Sequence, residues 1–169
     1  MTVLPDVLEP GLMVVLCGTA AGTMSAQVGA YYSGRGNLFW EVLARTGLTP
    51  YKLDPHEFGT LPNYRIGLTD LVKIRSGSDK AISSSDFDIP RFCSKINKFT
   101  PKVVAFNGKT SAKVFFGYSV DCGGPRRDER LGETVIFVLP STSAAARTYW
   151  DESHWRELAA FVDKRYRLN

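Results

Sequence analysis

Short apolar runs alternate with helical patterns along the chain. The run Leu12–Cys17 is continuous in apolar side chains and ends at Gly18. Such a run is typical of a strand that is covered on both faces in a parallel sheet. Further strands are predicted at Tyr64–Leu68, Val103–Phe106 and Val135–Leu139.

Helical spacing of apolar residues fills the intervals between these runs. It occurs from Phe39 to a stop at Gly47, over 89–99 after the cap cluster Ser84-Ser85-Asp86, and over 155–162. Asn107-Gly108-Lys109 predicts the turn into another short helix. We therefore expect an α/β fold, a three-layer α/β/α domain over residues 1–169 with a small, mainly parallel four-stranded sheet.

Composition and charge narrow the function classes. The 169 residues are 44% hydrophobic and 22% charged, typical of a soluble globular protein, and the net charge of +4 is a mild bias towards polyanions. Three scattered cysteines and two isolated histidines form no disulfide or metal-ligand pattern, so no metal and no cofactor is expected. With no signal peptide or membrane span recognised, we expect a cytoplasmic monomer.

Small and polar residues follow each predicted strand, where ligands bind in parallel sheets. The segments are Gly18–Gly22, Leu68–Asp70, Asn107–Lys109 and Pro140–Ala146. Two standard interpretations of such loops fail. Gly108-Lys109-Thr110 lacks the first glycine of a P-loop, and neither His56 nor His154 lies near a strand end, as a Ser-His-Asp triad would require.

Five segments form an ordered set that runs through nearly the whole chain. They are Leu4–Leu12 with Val14–Gly18, Gly36–Trp40, Gly67–Val72, Phe106–Lys109 and Val138–Ala144. Together they resemble the mismatch-specific uracil-DNA glycosylases and the related thymine-DNA glycosylases, members of the uracil-DNA glycosylase superfamily. The resemblance implies a monofunctional glycosylase of base excision repair. Such an enzyme flips uracil, and in some members thymine opposite guanine, out of DNA and leaves an abasic site.

The resemblance also implies site residues. Tyr32 matches the aromatic residue that stacks on the flipped base, and the alternative is that it is a partly buried core residue. Asn37 matches an asparagine of the base pocket and can at the same time cap a helix. The other residues predicted to bind the base are Gly18, Ala20, Ala21, Asn63 and Thr69. The residues predicted to bind DNA are Asn107, Gly108, Lys109, Ser141, Thr142, Ser143, Ala144 and Arg147, with Arg126, Arg127 and Arg130 as further cations.

One departure from the family affects catalysis directly. The family's first motif carries an asparagine that positions the attacking water, and Ala20 stands at that position in Gly18-Thr19-Ala20-Ala21-Gly22. Alanine has no side-chain hydrogen-bonding group. Asp70 is the carboxylate that could replace it, with Thr19 and Ser25 as nearby hydroxyls, unless Asp70 merely caps a turn.

Ala20 keeps two alternatives open. One is a non-catalytic binder of damaged or abasic DNA, and the other is an enzyme for a different substrate, such as a hypoxanthine glycosylase or a nucleoside hydrolase. The predicted pocket aromatic and the segment from Ser141 to Arg147 favour DNA over a free nucleoside.

Overall fold

The computed structural model describes residues 1–167. Its sheet has the strand order β2-β1-β3-β5-β4, in which the first four strands are parallel and β4 is antiparallel to β5. The strands are β1 (Val14–Ala21), β2 (Ile66–Ser76), β3 (Val103–Asn107), β4 (Gly123–Arg126) and β5 (Val135–Leu139). The helices are α1 (Thr23–Val28), α2 (Phe39–Arg45), α3 (Ile89–Phe99), α4 (Lys109–Phe116) and α5 (Glu152–Val162).

Helices cover both faces of the sheet, which confirms the predicted three-layer α/β/α fold. Successive residues of β1 point to opposite faces. Val14 and Leu16 join a core with α2 and α5, whereas Val15 and Cys17 join a second core with α3 and α4. No helix within residues 1–167 combines the length and the apolar character that crossing a membrane requires.

The fifth strand, β4, was not predicted. Its sequence Gly-Gly-Pro-Arg shows no alternation of apolar and polar residues, and its two central residues are solvent-exposed. β4 lies at the edge of the sheet beside β5, a position at which proline is tolerated because one side of the strand needs no hydrogen-bond donor.

The two longest strands extend beyond their predicted ends. β1 continues through Gly18–Ala21, where a loop was expected, and β2 continues past Asp70 to Ser76. The register pairs Gly18 with Asp70 and Ala20 with Val72, so the predicted loop residues lie on paired strands. The apolar run stops at Gly18 because the side chains become small there, whereas the strand itself continues.

Two helix starts also differ from the prediction. The residues 84–86 form a separate short 3-10 helix, and Asp88 caps α3 by accepting the Arg91 N–H. α1 was not predicted at all. The remaining single-turn or irregular helices are Pro55–Tyr64, Asp79–Ala81, Glu129–Leu131, Ala144–Tyr149 and Asp163–Arg167.

Candidate functional site

A cavity of about 820 Å³ lies at the carboxyl ends of β1, β3 and β5 and beside the middle of β2. Predicted site residues from four separate segments of the chain line it. They are Gly18, Thr19, Ala20, Ala21, Ser25, Tyr32, Asn37, Asp70, Asn107, Gly108, Lys109, Ser141, Thr142, Ser143 and Ala144. The fold therefore brings most of the predicted residues to one place.

Three of these residues converge at the floor of the cavity. A Cβ atom added to Gly18 would lie 2.8 Å from Oδ1 of Asp70 and 3.3 Å from Oη of Tyr32. The absence of a side chain at Gly18 thus leaves the space in which a carboxyl and a phenol approach the same point. Asp70 is 4% exposed, although it lines the cavity.

Asp70 titrates far from the usual range of an aspartate. Burial raises its pKa to about 6, and the neighbouring Asp6 carboxylate acts in the same direction. Lys73, Lys95 and the Gly18 N–H partly offset this rise because they favour the charged form. A carboxyl with this pKa is mostly ionised at neutral pH and can still exchange a proton near it.

Tyr32 has an unusual backbone and a buried hydroxyl. Its φ of 54° lies in the left-handed region, which a tyrosine adopts only where the surrounding structure enforces it. The ring stacks on Phe39 with centroids 3.9 Å apart. Its Oη is buried and makes no hydrogen bond of good geometry among residues 1–167. Burial raises the pKa of the phenol, and the Asn107 side chain partly offsets that rise.

Two other polar residues of the cavity have a structural bond as well. The side-chain Oδ1 of Asn37 accepts the Phe39 N–H at the start of α2. Ser25 Oγ accepts the Ser33 N–H and so ties α1 to the segment that carries Tyr32. Asn37 therefore accepts the first N–H of α2, as expected of a helix cap, and it also lines the cavity.

Neutral groups hold the β3–β5 side of the cavity together. The Asn107 amide donates to Oγ1 of Thr142, and its Oδ1 accepts the Thr142 N–H. Ser141 Oγ accepts the Ser143 N–H and donates to the Ser143 hydroxyl. These bonds fix the loop after β5 against the end of β3. They leave small side chains at the rim.

The predicted DNA-binding cations differ in how freely they can reach a ligand. Lys109 lines the cavity and pairs loosely with Asp121, 3.8 Å away, and both side chains are more than half exposed. Arg147 does not line the cavity; its guanidinium donates to the Gly36 carbonyl and links two segments of the rim. Arg126, Arg127 and Arg130 also lie outside the cavity lining, with bonds to Asp121, Glu133 and Asp128.

Two predicted base-binding residues lie outside the cavity. Asn63 belongs to the 3-10 helix Pro55–Tyr64 and lines a separate, shallow cavity of about 430 Å³. Thr69 is fully buried, and its hydroxyl donates to Oδ1 of Asp6. Adjacent residues of a strand point to opposite faces, so Thr69 and Asp70 are not expected to face the same cavity.

Other residues of the cavity were missed. Met24 on α1 and Tyr149 in the 3-10 helix Ala144–Tyr149 are large apolar side chains that are 46% and 81% exposed at the rim. Gly77, Ser78 and Asp79, just after β2, complete the lining beside α1. The sequence offered no signal for the last three, because their place depends on how far β2 extends.

A model of the uracil DNA glycosylase superfamily matches residues 5–163 of the chain. A solution NMR structure of a candidate uracil DNA glycosylase from Methanosarcina acetivorans has the same fold, with a TM-score of 0.63 and 23% sequence identity. The match covers 95% of this chain and 96% of that one.

Proposed function

The chain belongs to the uracil DNA glycosylase superfamily, whose members are hydrolases of N-glycosyl bonds, and on that premise we propose that it releases uracil from DNA and leaves an abasic site. The observation that carries the proposal is the Asp70 carboxyl at the floor of a cavity that the aromatic ring of Tyr32 also lines. The five motifs further favour the mismatch-specific and thymine-type branch. The enzyme is monofunctional and acts as a monomer.

Asp70 supplies a negative charge at the reaction centre, which a neutral asparagine would not provide. As the bond between C1′ and the base nitrogen breaks, the electron pair leaves with the base and the sugar becomes cationic. An ionised carboxylate stabilises that charge. Water then adds to C1′, and Asp70 accepts its proton, a role for which a pKa of about 6 is suited at neutral pH.

Tyr32 and Asn37 recognise the flipped base. The Tyr32 ring lines the cavity and stacks on Phe39, so it offers the base an aromatic surface, while its Oη is buried. The Asn37 side chain, which also lines the cavity, offers the base a polar group. The base thereby gains one aromatic contact and one polar contact, as extruded bases do in their pockets. Thr19 and Ser25 also line the cavity and add hydroxyls to it.

The loop from Ser141 to Ala144 approaches the duplex. Its side chains are small, which lets its backbone N–H groups come close to phosphates, and Lys109 adds an exposed cation beside it. Met24 and Tyr149 contribute exposed apolar surface at the same rim.

One observation, the alanine at position 20, favours a second function. Ala20 lines the cavity where a water-positioning asparagine is expected, which favours a binder of damaged or abasic DNA that performs no chemistry. Hypoxanthine is the alternative base for an active enzyme.

Oligonucleotides that carry one uracil opposite guanine, opposite adenine or in a single strand separate these functions. We expect alkali-labile sites in all three after incubation with the protein, formed faster in the single strand and the mismatch because unpairing costs less there. The matched variants are Asp70→Asn, expected to lose about 10²-fold in single-turnover rate with unchanged product affinity, and Ala20→Asn, expected to gain rate. Tight DNA binding with no cleavage of uracil or hypoxanthine substrates at excess protein would instead establish the binder.

A further inference from the structure

A cluster of charges lies behind the floor of the cavity, on the side away from the predicted base. Asp6 is at its centre: it accepts hydrogen bonds from Thr69 on one oxygen and from Lys95 on the other, and Lys73 Nζ lies 3.0 Å from its Oδ1. The cluster joins the N-terminal segment to β2 and α3. No motif of the chain indicated it.

Lys73 connects this cluster to Asp70. Its Nζ lies 4.0 Å from Oδ2 of Asp70, and it donates to the hydroxyl of Tyr31 at 3.0 Å. Tyr31 in turn donates to the Pro5 carbonyl. The Lys73 side chain is only 10% exposed, so its ammonium is held in one place by partners on three sides.

The charges balance when Asp70 is ionised. The cluster then holds two lysines, Lys73 and Lys95, and two carboxylates, Asp6 and Asp70. A buried charge is tolerated when it is paired and hydrogen-bonded. Protonation of Asp70 would leave one net positive charge in a poorly solvated place.

On the basis of this geometry, and resting on the proposed glycosylase function, we infer that Lys73 is a positioning residue that holds the Asp70 carboxylate ionised and fixed at the cavity floor, while Asp6 limits how strongly it does so. Lys73 thus favours the ionised form of Asp70, and Asp6 opposes it. The Asp70 carboxylate lines the cavity and can contact the reacting atoms, whereas Lys73 lies behind it and contacts no substrate.

The remaining titratable groups around Asp70 do not replace Lys73. Cys17 on β1 and the two tyrosines Tyr31 and Tyr32 face it, and burial raises the pKa of all three, so they stay neutral near pH 7. Lys95 on α3 donates to Asp6 and lowers the pKa of Asp70 as well, but less than Lys73 does. Lys73 is therefore the nearest cation to the carboxylate among residues 1–167.

Two variants test whether Lys73 and Asp6 shift the ionisation of Asp70 in opposite directions. Lys73→Met should move the acidic limb of the single-turnover pH profile upward by about 1 unit, because an opposite charge within about 4–6 Å lowers the pKa of a carboxyl by that much or more. Asp6→Asn should move the limb downward. Lys102→Met is the control for loss of one positive charge, since Lys102 is exposed at the other end of β3 and lies outside the cavity.

The pKa of Asp70 should also be measured without catalysis, from the carbon-13 shift of its carboxyl in each variant. Lys73→Arg keeps the charge and should retain the wild-type titration, which separates an electrostatic role from a packing role. Lys73→Gln also removes the charge and replaces Lys73→Met if that variant does not fold. An Asp70 titration unaltered by loss of Lys73, or shifted the same way by both substitutions, would overturn the inference. A protein that releases no base but shows the two opposite shifts would contradict the proposed function alone.

Discussion

The two halves of the sheet build the same cavity with different chemistry. β1 and β2 contribute buried, charged groups: Asp70 is in the middle of β2, and Lys73 and Asp6 lie behind it. β3 and β5 contribute neutral groups, such as the reciprocal amide and hydroxyl bonds of Asn107 and Thr142. The first half is arranged to control a proton and a charge, and the second to hold a backbone in place.

The difference has an energetic reason. Burying an ionised carboxylate costs stability, and the cost is accepted where the charge is used in the reaction. A loop that is proposed to approach DNA needs no buried charge, and saturated hydrogen bonds keep it rigid at little cost. Substitutions on the β1–β2 half should therefore change base release and its pH dependence, whereas substitutions on the β3–β5 half should change stability and DNA affinity.

The largest effect is expected at Gly18. In Gly18→Ala the new Cβ would approach Oδ1 of Asp70 to 2.8 Å and Oη of Tyr32 to 3.3 Å, so both groups must move. We expect single-turnover base release to fall by about 10²-fold, since displacing catalytic groups by about 1 Å has that cost. Gly22→Ala is the control, because Gly22 also lines the cavity but its added Cβ meets nothing within 4 Å. Equal rates in the two variants would contradict the geometry.

Asp70→Asn should stabilise the protein while it inactivates it. The pKa of Asp70 rises from 3.8 to about 6 on folding, so ionising it opposes folding. The wild type should lose stability as the pH rises from about 4 to 6, and Asp70→Asn should not. The gain should reach about 3 kcal/mol above pH 6 and vanish below pH 4 in denaturant titrations.

Asp6→Asn provides the control of opposite sign. Its lysine partners hold the pKa of Asp6 below its ordinary value despite burial. Ionised Asp6 therefore stabilises the fold at neutral pH, and that contribution is lost as the pH falls. Asp6→Asn should be less stable than the wild type at pH 7, with a difference that shrinks in acid. A loss of stability in Asp70→Asn at pH 7 would identify Asp70 as a structural residue.

Tyr32→Ala should weaken base recognition. It removes the ring that lines the cavity and stacks on Phe39, together with the buried hydroxyl. Loss of a stacking aromatic costs about 1–3 kcal/mol per base, which we expect in single-turnover rate and in DNA affinity. Tyr32→Phe keeps the ring, so a comparison of the two variants measures the hydroxyl by itself. Unchanged values in Tyr32→Ala would remove Tyr32 from the site.

Asn107→Ala should reduce stability without moving the pH profile. The substitution leaves the Thr142 N–H and hydroxyl without their partner, a loss of about 1–3 kcal/mol in the free energy of unfolding. DNA affinity should fall because the loop after β5 is no longer fixed. A shifted acidic limb would show that the two halves of the sheet are not chemically separate.

The smallest effect is expected at Lys109. Its pairing with Asp121 is exposed and therefore weak, so its ammonium can contact a phosphate. Lys109→Ala should lower the slope of log K against log salt by about 1 and leave the single-turnover rate at saturation unchanged. Lys102→Ala should change neither quantity.

The sequence was sufficient for the layers, for a mainly parallel sheet and for most of the predicted site residues to meet at one cavity, because apolar runs report burial and the family motifs follow the strands. It misassigned Thr69, since a motif gives no information about which neighbour in a strand faces the site. It also missed β4, because an edge strand of glycine and proline has no apolar pattern. Lys73 and Asp6 were missed for a further reason: their meeting depends on contacts between segments far apart in the chain.

At the rim of the cavity, hydrogen bonds and a packing contact join the segment before α2 to the loop after β5. Arg147 donates to the Gly36 carbonyl, the Leu38 N–H donates to the Thr142 carbonyl, and Ala144 lies against Gly36. Ordering a backbone residue costs about 1–2 kcal/mol, and in this loop the cost falls on folding rather than on DNA association. Binding should consequently proceed as a rigid-body event, with a heat-capacity change that reflects buried surface alone. In the Arg147→Ala variant the loop after β5 would have to become ordered on the DNA duplex. DNA association of that variant would then show the unfavourable entropy of coupled folding.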